Sequence, residues 1–398
     1  MEKMKVAVIG AGTMGIGIAQ VAAQAGHEVK LFDTRGDAVD RALEGLKRTL
    51  DRLAEKGKIT AEEASAIYAR IVPVVDVQQL NGCMLAIEAI VEDLPIKKKL
   101  FAELETICKD GDGPCVLATN TSSLSITAIA AACERPERVI GLHFFNPAPL
   151  LPLVEVVPGL ATDPAIVQKM IGLMKEWKKI PVQCKDTPGF IVNRVARPFY
   201  GESIRIFEEG IAGMAEIDAA MRSIGFKMGP FELMDLIGND INFTVTKTVW
   251  EAFFFDPRYK PSFTQQRQVE SGRLGRKTGR GYYEHTNGSA VPLPAIDPPK
   301  AKMITDRVVA MLINEAADAL FWNVASAADI DLAMTKGVNY PKGLLAWADE
   351  IGAAECLRRM EELQANYGED RYRPSPLLKR TAAANGQFLE LRTEAHKN

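Results

Sequence analysis

The sequence predicts an α/β Rossmann-type doubly wound domain followed by two all-α domains, the second a copy of the first. Three observations carry this expectation. A glycine triplet, Gly10-x-Gly12-x-x-Gly15, joins an apolar run of β-formers to a helical pattern. Strand-like and helical stretches then alternate as far as Cys184, the pattern of a mostly parallel sheet. Beyond Asp186 strand-like runs nearly vanish, and a set of framework residues recurs at a constant offset.

Composition bounds the function. The chain has 398 residues, 47% of them hydrophobic, enough to bury the cores of two or three domains. A formal net charge of −3 shows no global nucleic-acid footprint. No apolar run is long enough to span a bilayer. The first strand starts almost at Met1, so no signal peptide is expected. The six cysteines lack C-x-x-C spacing; they are expected to be reduced thiols of a cytoplasmic protein, with no zinc site. These bounds leave an intracellular enzyme or binding protein.

Taken in order, residues 6–9 read as a strand buried on both faces. Gly10 allows a tight turn, Gly12 lets a pyrophosphate approach the backbone, and Gly15 lets helix and strand pack closely. The helix over 14–25 offers its N-terminus, with free N–H groups, to an anion. A second strand over 29–32 ends in Asp33, roughly 20 residues after the glycines, where an acid binds an adenosine ribose. A carboxylate there accepts from the 2′-hydroxyl and repels a 2′-phosphate. The reading is a dinucleotide site for NAD; FAD is the rival, and Arg35 leaves NADPH open.

A helix over 38–56 follows, ended by Gly57. Thr60-Ala-Glu-Glu63 reads as a capping box opening another helix to about Ile71. Arg48, Arg52, Lys56 and Lys58 make this pair basic, either a solvated face or a clamp for substrate phosphates. Further strands are expected over 85–89, 116–119, 139–143, 153–157 and 180–184, with a helix over 96–107 begun by Pro95. Glu92, Ser122 and His143 fall at carboxyl ends of strands, where ligands bind in such sheets.

Asp186-Thr-Pro188-Gly189 marks a domain boundary, with Asp186 or Thr187 as cap of the next helix and Pro188 in its first turn. The expected domains are 1–186, 187–285, a linker over 286–299 rich in Pro, Gly and Asn, and 300–398, which ends in a polar tail. Ile217-Asp218-Ala-Ala-Met221 recurs as Ile330-Asp331-Leu-Ala-Met334. Arg194, Glu202, Tyr259, Pro261 and Arg267 recur as Arg307, Glu315, Tyr372, Pro374 and Arg380. This is an internal duplication.

Of four histidines, His27, His285 and His396 sit by a turn, a linker and the tail. His143 alone lies at a sheet's carboxyl edge, within Leu142-His-Phe-Phe. A lone histidine among apolar residues is ordinarily core. Glu155, however, interrupts the apolar run Leu-Val-Glu-Val-Val on the next strand, and a carboxylate there is costly unless paired. A His143–Glu155 pair accounts for both and suits proton transfer near neutral pH. Ser122 also reads as a cap for a helix starting near Ser125, Asn193 as an ordinary first-turn residue, and Lys97 as a solvated helix residue.

The glycine triplet, Asn120-Thr-Ser-Ser, Gly141-Leu-His-Phe-Phe-Asn-Pro147, Lys185-Asp-Thr-Pro-Gly-Phe-Ile-Val-Asn193-Arg, Met228-Gly-Pro-Phe-Glu-Leu and Gly275-Arg-Lys-Thr-Gly-Arg-Gly281 together resemble the L-3-hydroxyacyl-CoA dehydrogenases over nearly all of residues 4–285. The duplication resembles members with tandem C-terminal domains, in the style of 3-hydroxybutyryl-CoA and 3-hydroxyadipyl-CoA dehydrogenases. The resemblance implies NAD-dependent oxidation of (S)-3-hydroxyacyl-CoA to 3-oxoacyl-CoA, a step of fatty-acid metabolism. By it, His143 is the general base, oriented by Glu155, while Ser122 and Asn193 bind the substrate's C3 oxygen. Gly10, Gly12, Thr13, Met14, Gly15 and Asp33 hold the adenosine diphosphate half of NAD; Glu92, Lys97, Asn120, Asn146 and Lys277 serve the rest. The basic helical pair corresponds to the family's CoA-contacting insertion, where only Arg52 carries over. Asp306 stands where Asn193 stands in the first copy, so the second copy is expected to carry no active site. The helical copies are expected to pair within the chain, which leaves a homodimer open. Two other readings remain: a CoA-independent dehydrogenase of the gulonate dehydrogenase (lambda-crystallin) type, and a non-catalytic NAD-binding protein.

Overall fold

The computed structural model describes residues 3–108, 115–286 and 291–390. It contains two compact units, Met1–Thr187 and Pro188–Asn398. Residues 287–290 of the expected linker and the tail 391–398, with His396, lie outside the described residues.

The first unit is built on β1 (Lys5–Ile9), α1 (Thr13–Gln24), β2 (Glu28–Phe32), α2 (Gly36–Glu55), α3 (Ala61–Ala69), β3 (Ile71–Pro73), β4 (Leu85–Glu88), α4 (Leu94–Ile107), β5 (Val116–Thr119), α5 (Ile126–Ala130), β6 (Val139–Phe144), β7 (Leu153–Pro158), α6 (Pro164–Glu176) and β8 (Ile180–Gln183). The eight strands form one sheet in the order β3-β2-β1-β4-β5-β6-β7-β8. All neighbours are parallel except β6 and β7. Val6, Val8, Val29, Leu31, Leu85 and Ile87 are buried with Ile18 and Val21 of α1; strands covered on both faces need such continuous apolar runs. Each such side chain contributes about 1.5–3 kcal/mol.

Two expectations are corrected here. Ile71 does not end α3: Ile71, Val72 and Pro73 form β3, which pairs with β2 from Val29 to Leu31. Three residues are too few to show a period, and Pro73 is tolerated because β3 is an edge strand. Asp186 does not cap the first helix of the helical unit. Its carboxylate accepts from Ser125 Oγ at 2.8 Å, Ile126 N at 3.0 Å and Thr127 N at 2.8 Å, at the start of α5. The Thr60–Glu63 capping box is present, with Glu63 N on Thr60 Oγ1 at 3.1 Å and Thr60 N on Glu63 Oε2 at 2.8 Å.

The second unit is helical: α7 (Val192–Val195), α8 (Arg197–Glu208), α9 (Met214–Ser223), α10 (Pro230–Ile237), α11 (Asn239–Ala252), α12 (Phe263–Glu270), then α13 (Pro298–Phe321), α14 (Ala327–Gly337), α15 (Leu344–Ile351), α16 (Ala353–Tyr367) and α17 (Pro376–Ala383). The later five repeat the earlier six, with α13 in place of both α7 and α8. Pro198 stands in the first turn of α8 and Met311 at the matching position of α13. A proline cannot donate to the preceding turn, so the first copy breaks where the second runs on. Among the described residues no helix is long and apolar enough to cross a membrane.

Candidate active site

The glycine loop has the shape a dinucleotide needs. Gly10 has φ 103°, and a Cβ there would lie 2.5 Å from the Ala89 carbonyl oxygen. A Cβ on Gly15 would lie 1.7 Å from the Gly10 oxygen, so any side chain would part α1 from β1. Gly12, by contrast, is exposed and faces open space. It precedes α1 without a side-chain cap, beside exposed Thr13 and half-buried Met14. The first-turn N–H groups of α1 are therefore presented to an anion rather than to a side chain. Asp33 is tied to the same loop: its Oδ2 accepts from Ala11 N at 2.8 Å and its Oδ1 from Arg35 N at 2.9 Å. The residues present thus fit the diphosphate and ribose of NAD.

A buried ionic cluster lies at the carboxyl ends of β4 and β5. Lys97, expected as either a cofactor residue or a solvated one, is 1% exposed. Its Nζ is 2.5 Å from Glu88 Oε1 and 3.3 Å from Glu92 Oε2. Glu88 also accepts from Thr119 Oγ1 at 2.7 Å and Ile90 N at 2.7 Å. Partial burial would raise the Glu92 carboxyl, but Lys97 and donors on Thr121 and Ser122 hold it below the usual carboxylate range. Glu92 Oε1 accepts from Thr121 Oγ1 at 2.5 Å, Ser122 N at 3.0 Å and Ser123 Oγ at 3.1 Å. Sequence reasoning missed Glu88. The signal was there, since a carboxylate closing the apolar strand Leu85–Glu88 is as anomalous as Glu155.

His143 and Glu155 face each other across the antiparallel β6–β7 register. His143 Nδ1 is 2.6 Å from Glu155 Oε2, with Glu155 fully buried and His143 6% exposed. The Phe145 ring lies 4.5 Å from the imidazole. A carboxylate at that distance orients the ring and fixes a proton on Nδ1. Ser122 follows β5, the neighbour of β6. It does not cap α5; Ser125 does, accepting from Ala128 N at 3.1 Å. Asn120 Oδ1 accepts from Phe144 N at 2.9 Å, so Asn120 ties the ends of β5 and β6 together. Asn146 is exposed just past β6, before a cis bond to Pro147.

The remaining site candidates stand on other elements. Arg52 is exposed in the last turn of α2. Asn193 is half-buried in α7 of the second unit. Lys277, in the same unit, has its Nζ 2.5 Å and 2.6 Å from the carboxylate oxygens of Asp240. Asp306 of the second copy meets Lys302 at 2.5 Å and Arg359 at 3.1 Å. Among the described residues the loop Gly275–Gly281 has no equivalent there. Asp235 accepts from Tyr282 N and Tyr283 N at 2.9 Å each; Asp349 accepts instead from Phe388 N at 2.7 Å and Leu389 N at 3.1 Å. The closing strap is kept, and the lysine-bearing loop before it is gone.

Comparison with known proteins finds relatives that cover most of the chain. The 3-hydroxyacyl-CoA dehydrogenase NAD binding domain matches residues 5–187. The C-terminal domain of the same family matches twice, at 189–285 and 303–388. A 3-hydroxyadipyl-CoA dehydrogenase of Escherichia coli (strain K12) is 43% identical over 95% of this chain and 97% of its own. A 3-hydroxybutyryl-CoA dehydrogenase of Clostridioides difficile is 40% identical over 71% of this chain and 99% of its own. The crystal structure of 3-hydroxybutyryl-CoA dehydrogenase from Escherichia coli K12 superposes with a TM-score of 0.91 at 41% identity, covering 97% of this chain and 99% of that one. The chain therefore belongs to the 3-hydroxyacyl-CoA dehydrogenase family of NAD-dependent oxidoreductases, with the family's cofactor domain at its N-terminus and its C-terminal domain in two copies.

Proposed function

We propose that this protein oxidises (S)-3-hydroxyacyl-CoA to 3-oxoacyl-CoA with NAD, using His143 and Glu155 as the general-base pair. The observation that carries the assignment is the 2.6 Å contact between His143 Nδ1 and Glu155 Oε2 at the carboxyl edge of the sheet. Bound NAD supplies the hydride acceptor. His143 takes the C3 hydroxyl proton at Nε2 as the C3–H bond breaks, and buried Glu155 stabilises the imidazolium that forms. Ser122 donates to the oxygen becoming the carbonyl. Glu92, with Lys97 behind it, holds the Thr121–Ser123 backbone on which that serine sits. Gly10, Gly12, Thr13, Met14, Gly15 and Asp33 hold the adenosine diphosphate. Asn146 and Lys277 are assigned to the nicotinamide half, Asn193 to the C3 oxygen and Arg52 to the CoA phosphates, on their matching motifs. Asn120 acts as a brace for the strand ends. The six free thiols support a cytoplasmic setting.

The second helical copy is proposed to be structural, occupying the place of a partner subunit, with Asp306 neutralised by two cations rather than facing an oxyanion.

The test is NADH formation across 3-hydroxyacyl-CoAs of varied length, with and without a terminal carboxylate, and with the same hydroxy acids free of CoA. His143→Gln should lower turnover by roughly 10²–10⁴-fold with little change in NAD affinity; Glu155→Gln should act in the same direction, more mildly. Turnover that persists in His143→Gln removes the base assignment, and full activity on hydroxy acids lacking CoA removes the substrate class.

A further inference from the structure

The duplication exposes an asymmetry within the helical unit. Arg258 and Arg371 occupy matching positions, each before the tyrosine of a short 3-10 turn. Both are buried, at 4% exposure. Arg258 is ion-paired through Nη1, which lies 3.3 Å from Glu315 and 2.8 Å from Asp318, while its Nε is buried without a partner. The position that supplies Asp318 to Arg258 is occupied, in the other copy, by Arg205. Arg205 turns to Glu369 at 3.0 Å. Glu202, the counterpart of Glu315, takes Arg307 and Tyr372 on Oε1, and its Oε2 is buried without a partner. Arg371 is left with no carboxylate among the described residues, and its Nε, like that of Arg258, is buried unpaired; the missing acid is what sets the two copies apart. An uncompensated buried guanidinium is costly.

Arg371 lines a cavity of about 530 Å³, a size suited to a small organic ligand. Lys247 and Lys260 add positive charge to its wall, and Phe243, Trp250 and Phe263 make it aromatic. Lys247 leans on Glu251 at 3.7 Å, and Glu208, the acid on the wall, accepts from Thr264 Oγ1 at 2.6 Å. Phe263 is 77% exposed, and the indole N–H of Trp250 is buried without a partner. None of these residues is among those assigned to the dehydrogenase reaction.

We propose that this cavity is a second ligand site, which binds a small organic anion: a flat aromatic body carrying a phosphate or carboxylate. Arg371 grips the oxyanion with its planar donor fork, in place of the carboxylate that its duplicate Arg258 meets through Nη1 in Asp318. Lys260 closes over the same charge, and the Phe243, Trp250 and Phe263 rings take the body. The ligand's anion stands where the lost carboxylate stood.

Calorimetric titration of the full-length protein, saturated with NAD, tests this with phenyl phosphate, benzoate and inorganic phosphate. Phenyl phosphate or benzoate should bind saturably, one per chain, and inorganic phosphate at least ~10-fold more weakly, because it lacks the ring. The tighter of the two organic anions identifies the oxyanion as phosphate or carboxylate. Lys260→Gln should weaken the tighter ligand several-fold and Arg371→Met by more than ~10-fold, with NADH turnover unchanged in both. Should Arg371→Met fold poorly, Arg371→Lys, which keeps the charge but not the fork, should still lose most of the affinity. Affinity unchanged in Lys260→Gln and in either Arg371 variant, or no saturable binding, would make Arg371 a purely structural cation and overturn the proposal.

Discussion

At the scale of single residues, the site depends on carboxylates placed where strands end. Asp33 reaches back to Ala11 and so stands beside the glycine loop proposed to hold the diphosphate. A negative charge there disfavours a 2′-phosphate. Asp33→Ser should therefore lower the preference for NAD over NADP, as read from initial rates with each cofactor; a wild-type protein that already prefers NADPH would refute the role. Lys179 gives a pH dependence. Its ammonium donates to the Ala148 carbonyl at 2.5 Å and the Leu151 carbonyl at 3.0 Å, in the segment between β6 and β7. Burial lowers its pKa to about 8. Between that value and the ordinary lysine value near 10.5, the unfolded chain binds a proton that the folded one has released. Stability from this group therefore rises with pH across the window, by up to about 1.4 kcal/mol per unit. Denaturant titrations of wild type and Lys179→Met at pH 8 and pH 10 should show the gap between them widening in favour of wild type; a gap constant with pH removes this coupling.

At the scale of elements, a segment's cap need not come from its own neighbourhood. The five-residue helix α5 is held at its start by Ser125 and, from beyond β8, by Asp186. A helix this short has little stability of its own. Asp186→Ala leaves two backbone N–H groups and a hydroxyl without their acceptor, at a cost of about 1–2 kcal/mol. Thermal denaturation should show a lowered midpoint, with Asp186→Asn intermediate because an amide oxygen still accepts; an unchanged midpoint in Asp186→Ala would show water replacing the cap at no cost. The β6–β7 pair is the other case. Its antiparallel register, set by apolar partners such as Leu142 and Val156, is what brings His143 opposite Glu155.

At the scale of the whole chain, the helical copies exchange charges reciprocally. Arg194 reaches Glu315 at 2.7 Å, and Arg307 reaches Glu202 at 2.5 Å. Tyr259 donates to Glu315 at 2.5 Å, and Tyr372 to Glu202 at 2.7 Å. All of these groups are buried. Ending the chain in the linker near Pro292 would strip Arg194 and Arg258 of their acids and Glu202 of its cation. A broken buried pair costs about 3–5 kcal/mol, and the bared apolar face of α8 would favour association. The truncated protein should dimerise or precipitate, as seen by size exclusion and light scattering. A soluble truncated monomer of wild-type stability and activity would show that the second copy has no packing role.

Much of this was legible because it is local or periodic. Gly10, Gly15 and Asp33 declare themselves by spacing, since a tight turn, a close helix and an acid held on the glycine loop each demand one residue type at one place. Thr60 and Glu63 declare a cap in the same way, and Glu155 declares a partner by being charged in an apolar strand. The duplication was likewise readable as a constant offset between residues such as Arg194 and Arg307. Tertiary structure alone decided the rest. Asp186 lies 61 residues from Ser125, whose hydroxyl it holds, so no local rule connects them. β3 is too short to show a period, and its strand hydrogen bonds exist only against β2. Lys97 looks like a solvated helix residue until α4 is laid against the sheet and Glu88 and Glu92 close on it. Arg371 resembles its paired duplicate Arg258 in every local respect. Only the fold shows that Arg205 stands where its carboxylate should be, because an ion pair is a property of two distant positions brought together.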